Sequence, residues 1–100
     1  MERFTRTFAD CGFRKEAIYP CYGKAETTII ISGGLKSEPP IIRFVNGTEL
    51  SQNRVVSTDE FSVDSQAIVS CGHTCLDQKI AIVNPESLIE CGDGEVGEIW

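Results

Sequence analysis

Short apolar runs, separated by polar stretches that contain Gly and Pro, dominate this chain. The strongest run is Ile29-Ile30-Ile31, in which β-branched residues follow one another without alternation. A continuous apolar run of this kind is typical of a strand that is buried on both faces of a sheet. Applied along the chain, the pattern predicts strands over 17–19, 27 or 28 to 32, 41–45, 66–71, 78 or 79 to 83, and 96–100.

The same pattern predicts one or two short helices beside these strands. Phe4, Phe8 and Cys11 recur at the spacing i, i+4, i+7, which predicts a helix over 2–10 that ends at Gly12. Thr48 is a candidate cap for a second, shorter helix. We therefore expect a mainly β (α+β) fold with one or two short helices, in which the strands form a small antiparallel sheet or a distorted open barrel.

The triple-Ile run also bears on domain organisation. A strand that is buried on both faces needs cover from other elements, and a chain of 100 residues with so few predicted helices supplies little of it. We therefore expect residues 1–100 to be an excerpt of a larger domain rather than an independent domain.

Composition and charge narrow the partners. The chain is 41% apolar and 24% charged, as soluble globular chains are, and its formal net charge is −6. The nine basic residues are scattered, which argues against a nucleic-acid partner because phosphate binding needs clustered Lys and Arg. No apolar stretch is long enough to span a bilayer and the start lacks a signal peptide, so we expect no transmembrane segment and a cytoplasmic protein.

A polar loop between the first two predicted strands carries the candidate chemistry. Tyr22 offers a flat ring on which a base can stack, and Gly23 allows a ligand to approach the backbone. Glu26 is a hard oxygen ligand suited to Mg²⁺, which binds proteins through one or two carboxylates and substrate phosphates. Thr27 and Thr28 carry hydroxyl groups that can donate to a phosphate oxygen. An ordinary surface loop would also have this composition.

The cysteines leave a second kind of site open. Five cysteines without a secretory signal argue against a disulfide framework. Cys71, His73 and Cys75 offer three soft ligands, but a structural zinc site needs four, and no second close pair of cysteines exists. We expect reduced thiols, and a non-enzymatic metal-binding or interaction module remains the alternative from another functional class. His73 is the only histidine, and we do not place it in the candidate site.

The loop sequence carries a family resemblance. Tyr22-Gly23-Lys24-Ala25-Glu26-Thr27 resembles the Tyr-Gly-x-(Thr/Ala)-Glu-(Thr/Ala) motif of the adenylate-forming, AMP-binding superfamily. The longer stretch from Gly12 to Thr27, together with Val69-Ser70-Cys71-Gly72 and the closing Gly94-Glu95-Val96-Gly97-Glu98-Ile99-Trp100, is similar to the fatty acyl-AMP ligase branch. These matches occur in order over nearly the whole chain.

The resemblance implies an activity and assigns roles in it. Enzymes of this branch activate a fatty acid with ATP and Mg²⁺, forming an acyl-adenylate that is passed to an acyl carrier protein or a polyketide synthase module. By this resemblance Tyr22 lies against the adenine, while Gly23 and Ala25 belong to the nucleotide-binding loop. Glu26 holds Mg²⁺ near the phosphates, and Thr27 donates to the α-phosphate, so these two residues are the catalytic candidates.

Other motifs of the family are missing. The phosphate loop with its lysine, the aspartate that binds ribose and the small C-terminal domain with its catalytic lysine are all absent from residues 1–100. The resemblance therefore places the chain in the C-terminal part of the large N-terminal domain. Without the remaining domains of the parent enzyme we expect it to be inactive and to hold no cofactor.

The middle of the chain distinguishes two branches of the superfamily. Acyl-CoA synthetases connect the same motifs more compactly, whereas residues from about 35 to 64 fit the insertion of the fatty acyl-AMP ligases. The resemblance implies that this insertion restrains domain motion and disfavours transfer to coenzyme A. Residues from about 66 to 100 would form a β subdomain. A fragment of an acyl-CoA synthetase is the alternative within the superfamily.

Overall fold

The computed structural model describes residues 1–27, 29–75 and 77–100. Its elements are short, and their order is helix α1 (Glu2–Phe8), strands β1 (Cys21–Tyr22), β2 (Ser32–Gly33) and β3 (Ile42–Asn46), helix α2 (Gly47–Ser51), and strands β4 (Ser65–Val69), β5 (His73–Thr74), β6 (Ile82–Val83) and β7 (Glu98–Ile99). Single 3₁₀ turns lie at Ala9–Cys11, Lys15–Ala17 and Ala25–Thr27.

The chain divides into two compact units. The first comprises Met1–Ile41 and Val69–Gln78, and the second comprises Ile42–Ile68 and Lys79–Trp100. The small antiparallel sheets and few short helices confirm the expected mainly β fold, and the described strands form no closed barrel.

The first unit begins with the predicted helix. Helix α1 continues into the 3₁₀ turn Ala9–Cys11 and ends at Gly12, whose φ of 80° is left-handed and whose N–H donates to the Ala9 carbonyl over 2.9 Å. Glycine adopts this conformation without a side-chain clash, which explains why the helix ends there. The Phe4 ring lies 4.6 Å from that of Phe8 and 5.2 Å from that of Phe13, between ring centroids.

A three-stranded antiparallel sheet with β2 in the centre organises the rest of the first unit. Cys21 and His73 lie opposite Gly33 on its two sides, and Tyr22 and Thr74 lie opposite Ser32. Ser32 and Gly33 are buried. The Tyr19 side chain packs onto Gly33, where even a methyl group would overlap the phenol oxygen. Glycine in the central strand therefore makes room for an aromatic side chain on that face.

The second unit contains two two-stranded sheets. Strands β3 and β4 pair with each other, and β6 pairs antiparallel with β7, with Ile82 opposite Ile99 and Val83 opposite Glu98. Val45 of β3 and Val83 of β6 are its buried apolar residues, at 2% and 5% exposure.

Polar groups stabilise the start of α2. The Asn46 side-chain oxygen accepts from the Glu49 N–H over 2.9 Å. Asp64, which precedes β4, accepts the Thr48 N–H with its carboxylate over 2.7 Å and the Gly47 N–H with its carbonyl over 2.8 Å. Three N–H groups that have no partner within the helix are thus satisfied. The predicted cap Thr48 is wrong, because Asn46 occupies the capping position and Thr48 already lies inside the helix.

Two strand predictions in the first unit are also wrong. Residues 17–19 are not a strand, since the chain forms a 3₁₀ turn at Lys15–Ala17 and becomes extended in a ladder only at Cys21. Of the predicted strand over 27 or 28 to 32, only Ser32 lies in β2, and Thr28 is outside the described residues. The physical reason is at Ile29, whose φ of 77° is incompatible with an extended strand.

The later strands are placed correctly, with changed lengths. The prediction over 41–45 is confirmed by β3, and that over 66–71 by β4, which starts one residue earlier and is followed by the unpredicted β5. The predictions over 78 or 79 to 83 and over 96–100 are confirmed only as the two-residue strands β6 and β7. The apolar runs predict where these strands lie, but each strand extends only as far as a neighbouring strand pairs with it.

The capping contact leads to a stability prediction. Replacement of Asn46 by Ala removes the acceptor for the Glu49 N–H, so we expect the free energy of unfolding to fall by about 1 kcal/mol. Urea unfolding measures this, and Gln52→Ala, at the exposed far end of α2, is the control that should change much less. Equal losses in the two variants would contradict the capping role.

A second prediction concerns pH. Hydrogen bonds from the Thr48 side chain and then from its backbone N–H lower the pKa of Asp64 below its ordinary value of 3.8, and desolvation opposes them. Because the folded-state pKa is lowered, the ionised carboxylate stabilises the fold above the unfolded pKa, and this contribution is lost as the pH falls through the folded pKa. We expect the stability difference between the natural chain and Asp64→Asn, measured by urea unfolding, to shrink as the pH is lowered below about 4. Thr48→Val should weaken this pH dependence, and a pH-independent difference would contradict the assignment.

Candidate functional site

The candidate site is a loop that connects β1 to β2 in the first unit; we call residues 23–30 the Glu26 loop. Its base is closed where the Ile31 N–H donates to the Tyr22 carbonyl over 2.8 Å. A second bond inside it runs from the Ile29 N–H to the Lys24 carbonyl over 3.1 Å. The Ile31 carbonyl in turn accepts from the Cys75 N–H over 2.8 Å. The two ends of the loop are thus held together by the sheet that carries it.

Glu26 is the central residue of the 3₁₀ turn Ala25–Thr27 and is exposed. No hydrogen bond or ion pair of its carboxylate is found within the described part of the chain. Among the described residues, no group of three His, Cys, Asp or Glu side chains could hold a metal ion. One accessible carboxylate fits Mg²⁺, which takes its remaining oxygen ligands from phosphates and water, and does not fit a cation that needs an all-protein cage.

Tyr22 and Gly23 lie at the entry to the loop. Tyr22 is the last residue of β1, half-buried, and its backbone faces Ser32 across the ladder. Gly23 packs against the return segment of the loop (Ile29 and Ile30), since a Cβ atom built at Gly23 would overlap the Ile29 carbonyl oxygen and lie 2.6 Å from the Ile29 carbonyl carbon. No residue with a side chain fits position 23 unless the return segment moves.

The remaining predicted site residues lie in the same turn. Ala25 is exposed at its first position. Thr27 ends the turn, and its side chain, like all of Thr28, lies outside the described residues. The structure thus brings Tyr22, Gly23, Ala25 and Glu26 together in one short connection, as neighbours in sequence must be.

Ile29 is the residue of this loop that sequence reasoning missed. Its φ of 77° is left-handed, a region that β-branched residues strongly disfavour, and the residue is 73% exposed. No pattern in the sequence predicts a left-handed backbone here, because three consecutive isoleucines indicate an extended strand. The left-handed backbone is seen only in the folded structure, where the Ile29 carbonyl packs against Gly23.

The Cys/His motif does not assemble into a site. Cys71 and His73 are exposed and Cys75 is half-buried. The Cys75 thiol donates to the backbone carbonyl of His73 over 3.9 Å. All five cysteines, each within the described ranges, are free. Nothing in this geometry favours zinc binding.

Among the described residues, no helix has the length and apolar character that crossing a membrane requires. This agrees with the absence of a long apolar run in the sequence.

Comparison with known proteins identifies close relatives of the whole chain. No protein-family model matches it. It is 39% identical over 98 residues to the medium-chain-fatty-acid–[acyl-carrier-protein] ligase TtuA of Teredinibacter turnerae, an alignment that covers 98% of this chain and 15% of that protein.

Solved structures match in the same way. The fatty acid AMP ligase of Legionella pneumophila superposes with a TM-score of 0.89 at 38% identity, covering 99% of this chain and 17% of that one. A fatty acyl-adenylate ligase of L. pneumophila, in complex with acyl adenylate and pyrophosphate, gives 0.87 at 37% identity with the same coverage. The resemblance to the fatty acyl-AMP ligase branch is therefore confirmed along the chain, which spans about 15–17% of the length of these relatives.

Proposed function

We propose that this chain, similar throughout its length to one segment of the fatty acyl-AMP ligases, is part of an ATP-dependent ligase that converts a fatty acid into an acyl-adenylate. The whole-chain match to the L. pneumophila enzyme that was solved with acyl adenylate and pyrophosphate carries this proposal. The Glu26 loop, which presents an accessible carboxylate on a turn held by a sheet, supports it from the geometry.

The residues of the loop receive separate tasks. The Tyr22 ring stacks against the adenine, and the backbone at Gly23 and Ala25 lines the nucleotide. The Glu26 carboxylate holds the Mg²⁺ that accompanies ATP. The Thr27 hydroxyl donates to the α-phosphate. Support for this division comes from the order of these groups along one connection whose ends are fixed by the sheet.

The reaction makes clear what these groups must do. The fatty acid carboxylate attacks the α-phosphorus, a new carboxyl–phosphate bond forms, and the bond to the β-phosphate breaks as pyrophosphate leaves. Negative charge increases on the oxygens of the α-phosphate in the transition state, and the Thr27 hydroxyl stabilises it by hydrogen bonding. When bound, Mg²⁺ supplies the positive charge that neutralises the phosphate oxygens.

Partners and location follow from the same proposal. The substrates are a fatty acid and ATP, and the acyl group passes to an acyl carrier protein or a polyketide synthase module. TtuA, whose name includes an acyl carrier protein, supports the first of these acceptors. The remaining domains of the ligase complete the active site, and the cytoplasm is the expected location. We expect no nucleic-acid partner, in keeping with the net charge of −6.

The role of Glu26 can be tested in the complete ligase that contains these residues. Glu26→Ala removes the proposed metal ligand, and we expect the rate of acyl-adenylate formation to fall by about a hundredfold or more, since a metal clamp on phosphate contributes several kcal/mol. Glu26→Asp should recover little of this rate because its shorter side chain misplaces the oxygens. ATP–pyrophosphate exchange with a fatty acid measures both variants.

Glu16 provides a matched control for this test. It is also an exposed glutamate at the centre of a 3₁₀ turn, Lys15–Ala17, in the same unit. Glu16→Ala should leave the exchange rate close to that of the natural enzyme. Near-normal exchange in Glu26→Ala would show that Glu26 is not the ligand.

We also propose that residues from about 35 to 64 form the insertion that restrains domain motion, ahead of a β subdomain from about 66 to 100. The segment separates the Glu26 loop from β4, and it presents Phe61 and Val63 almost completely exposed. Side chains of this kind are suited to contact with another part of a larger protein.

Deletion of this segment from the complete ligase tests the restraint. We expect the deletion to raise the formation of acyl-CoA when coenzyme A is supplied, because the domains then reach the arrangement that transfer requires. Product analysis measures acyl-CoA, and retained acyl-adenylate formation is the control for a working first step. Val45 lies in the core of the second unit, so thermal unfolding must first show that the variant is folded. A folded variant without any gain in acyl-CoA would contradict the restraint.

A further inference from the structure

We propose that Gly23 and Ile29 are positioning residues, whose packing against each other sets the conformation of the Glu26 loop; the inference rests on the proposed function of that loop. The proposed function places the Gly23 backbone beside the nucleotide, and the packing gives Gly23 a second task that it shares with Ile29. Their task is to fix where the Glu26 carboxylate stands relative to β1.

The first observation is the space at Gly23. A Cβ atom at this position would overlap the Ile29 carbonyl oxygen and approach the Ile30 Cα atom to 3.3 Å. Backbone atoms, unlike the end of a long side chain, cannot move aside without moving the segment they belong to. The missing side chain of Gly23 therefore accommodates the return segment of its own loop.

The second observation, independent of the first, is the backbone of Ile29. A β-branched residue at φ 77° is strained, and strain of this kind persists only where the surroundings impose it. Burial does not impose this strain, because the residue is 73% exposed. The restraints are on the backbone, where the Ile29 N–H donates to Lys24 over 3.1 Å and the next N–H but one, of Ile31, donates to Tyr22 over 2.8 Å.

Glu26 lies midway between the two packed residues. The 3₁₀ turn Ala25–Thr27, which carries the exposed Glu26, lies between these two positions in the chain. If the Ile29 carbonyl moved away from Gly23, the loop would widen and the carboxylate would shift. Misplacement of a catalytic group by about 1 Å can cost about a hundredfold in rate.

The experiment compares two glycine substitutions in the complete ligase. Gly23→Ala forces the Ile29 carbonyl away, whereas Gly34→Ala is the matched control, because nothing lies within 4 Å of a Cβ atom there and the backbone is not left-handed. For Gly23→Ala we expect acyl-adenylate formation to fall by about tenfold to a hundredfold. The Mg²⁺ concentration for half-maximal rate should rise, and Gly34→Ala should change neither quantity.

A measurement without catalysis follows the packing itself. Hydrogen exchange at the Ile31 amide, which closes the base of the loop, should become faster in Gly23→Ala and remain slow in Gly34→Ala. A loss of general stability would instead speed exchange throughout the sheet and leave the Mg²⁺ dependence unchanged, which would overturn the positioning role.

Rescue tests the pairing of the two residues. In Gly23→Ala/Ile29→Gly, the glycine at 29 has access to other backbone angles, so its carbonyl can retreat without strain. We expect this variant to recover part of the rate and of the Mg²⁺ affinity that Gly23→Ala loses. The control is Gly23→Ala/Ile30→Gly, since Ile30 is also exposed but has no left-handed backbone; it should recover nothing.

The outcomes separate this inference from the proposed function. Equal behaviour of Gly23→Ala and Gly34→Ala, or equal rescue by the substitutions at 29 and 30, would overturn the packing between Gly23 and Ile29. Full activity of Glu26→Ala, together with fast Ile31 exchange in Gly23→Ala, would overturn the role of Glu26 while the packing stood. If Gly23→Ala does not fold, Ile29→Gly alone must raise the Mg²⁺ requirement more than Ile30→Gly does, or the inference fails.

Discussion

Strand β2 is the element on which the first unit depends. Its two edges pair with β1 and with β5. Its residues, Ser32 and Gly33, are buried together with Ile31. The Tyr19 side chain packs onto Gly33, and no larger residue could stand at position 33 without displacing that ring. The Glu26 loop leaves β1 and returns to β2 through Ile31, whose N–H donates to the Tyr22 carbonyl, so the pairing of these strands fixes where both ends of the loop lie.

The second unit depends more on polar contacts. Its buried apolar residues are few, and hydrogen bonds at the start of α2 contribute local stability instead. Asn46 and Asp64 supply acceptors from two separate parts of the chain, and Asp64 uses both its side chain and its backbone carbonyl. The charge-assisted hydrogen bond from the Thr48 N–H to the Asp64 carboxylate connects α2 to the start of β4 with little need for buried apolar surface. It also makes this unit sensitive to acid in a way that apolar packing would not be.

Sequence patterns recovered the type of element better than its length. Periodicity found α1, and apolar composition found β3 and β4, since each signal comes from several residues. The prediction failed at Ile29, where three β-branched residues indicate a strand and tertiary closure imposes a left-handed backbone. The site residues could be proposed because they are adjacent in sequence. The packing at Gly23 could not, because it depends on a carbonyl that the fold brings back from six residues further along.

The exposure of Glu26 is consistent with the task proposed for it. A carboxylate buried beforehand would need a partner to offset its desolvation, and that partner would compete with a cation for its oxygens. An exposed carboxylate has no such cost, but on a free loop it would also have no fixed position, and each residue ordered on binding would reduce affinity. The proposed packing of Ile29 against Gly23 would resolve this conflict, because it would hold the loop through main-chain contacts and leave the Glu26 carboxylate exposed to water. In the proposed function, the conformational cost would then be met when the chain folds rather than when ATP binds.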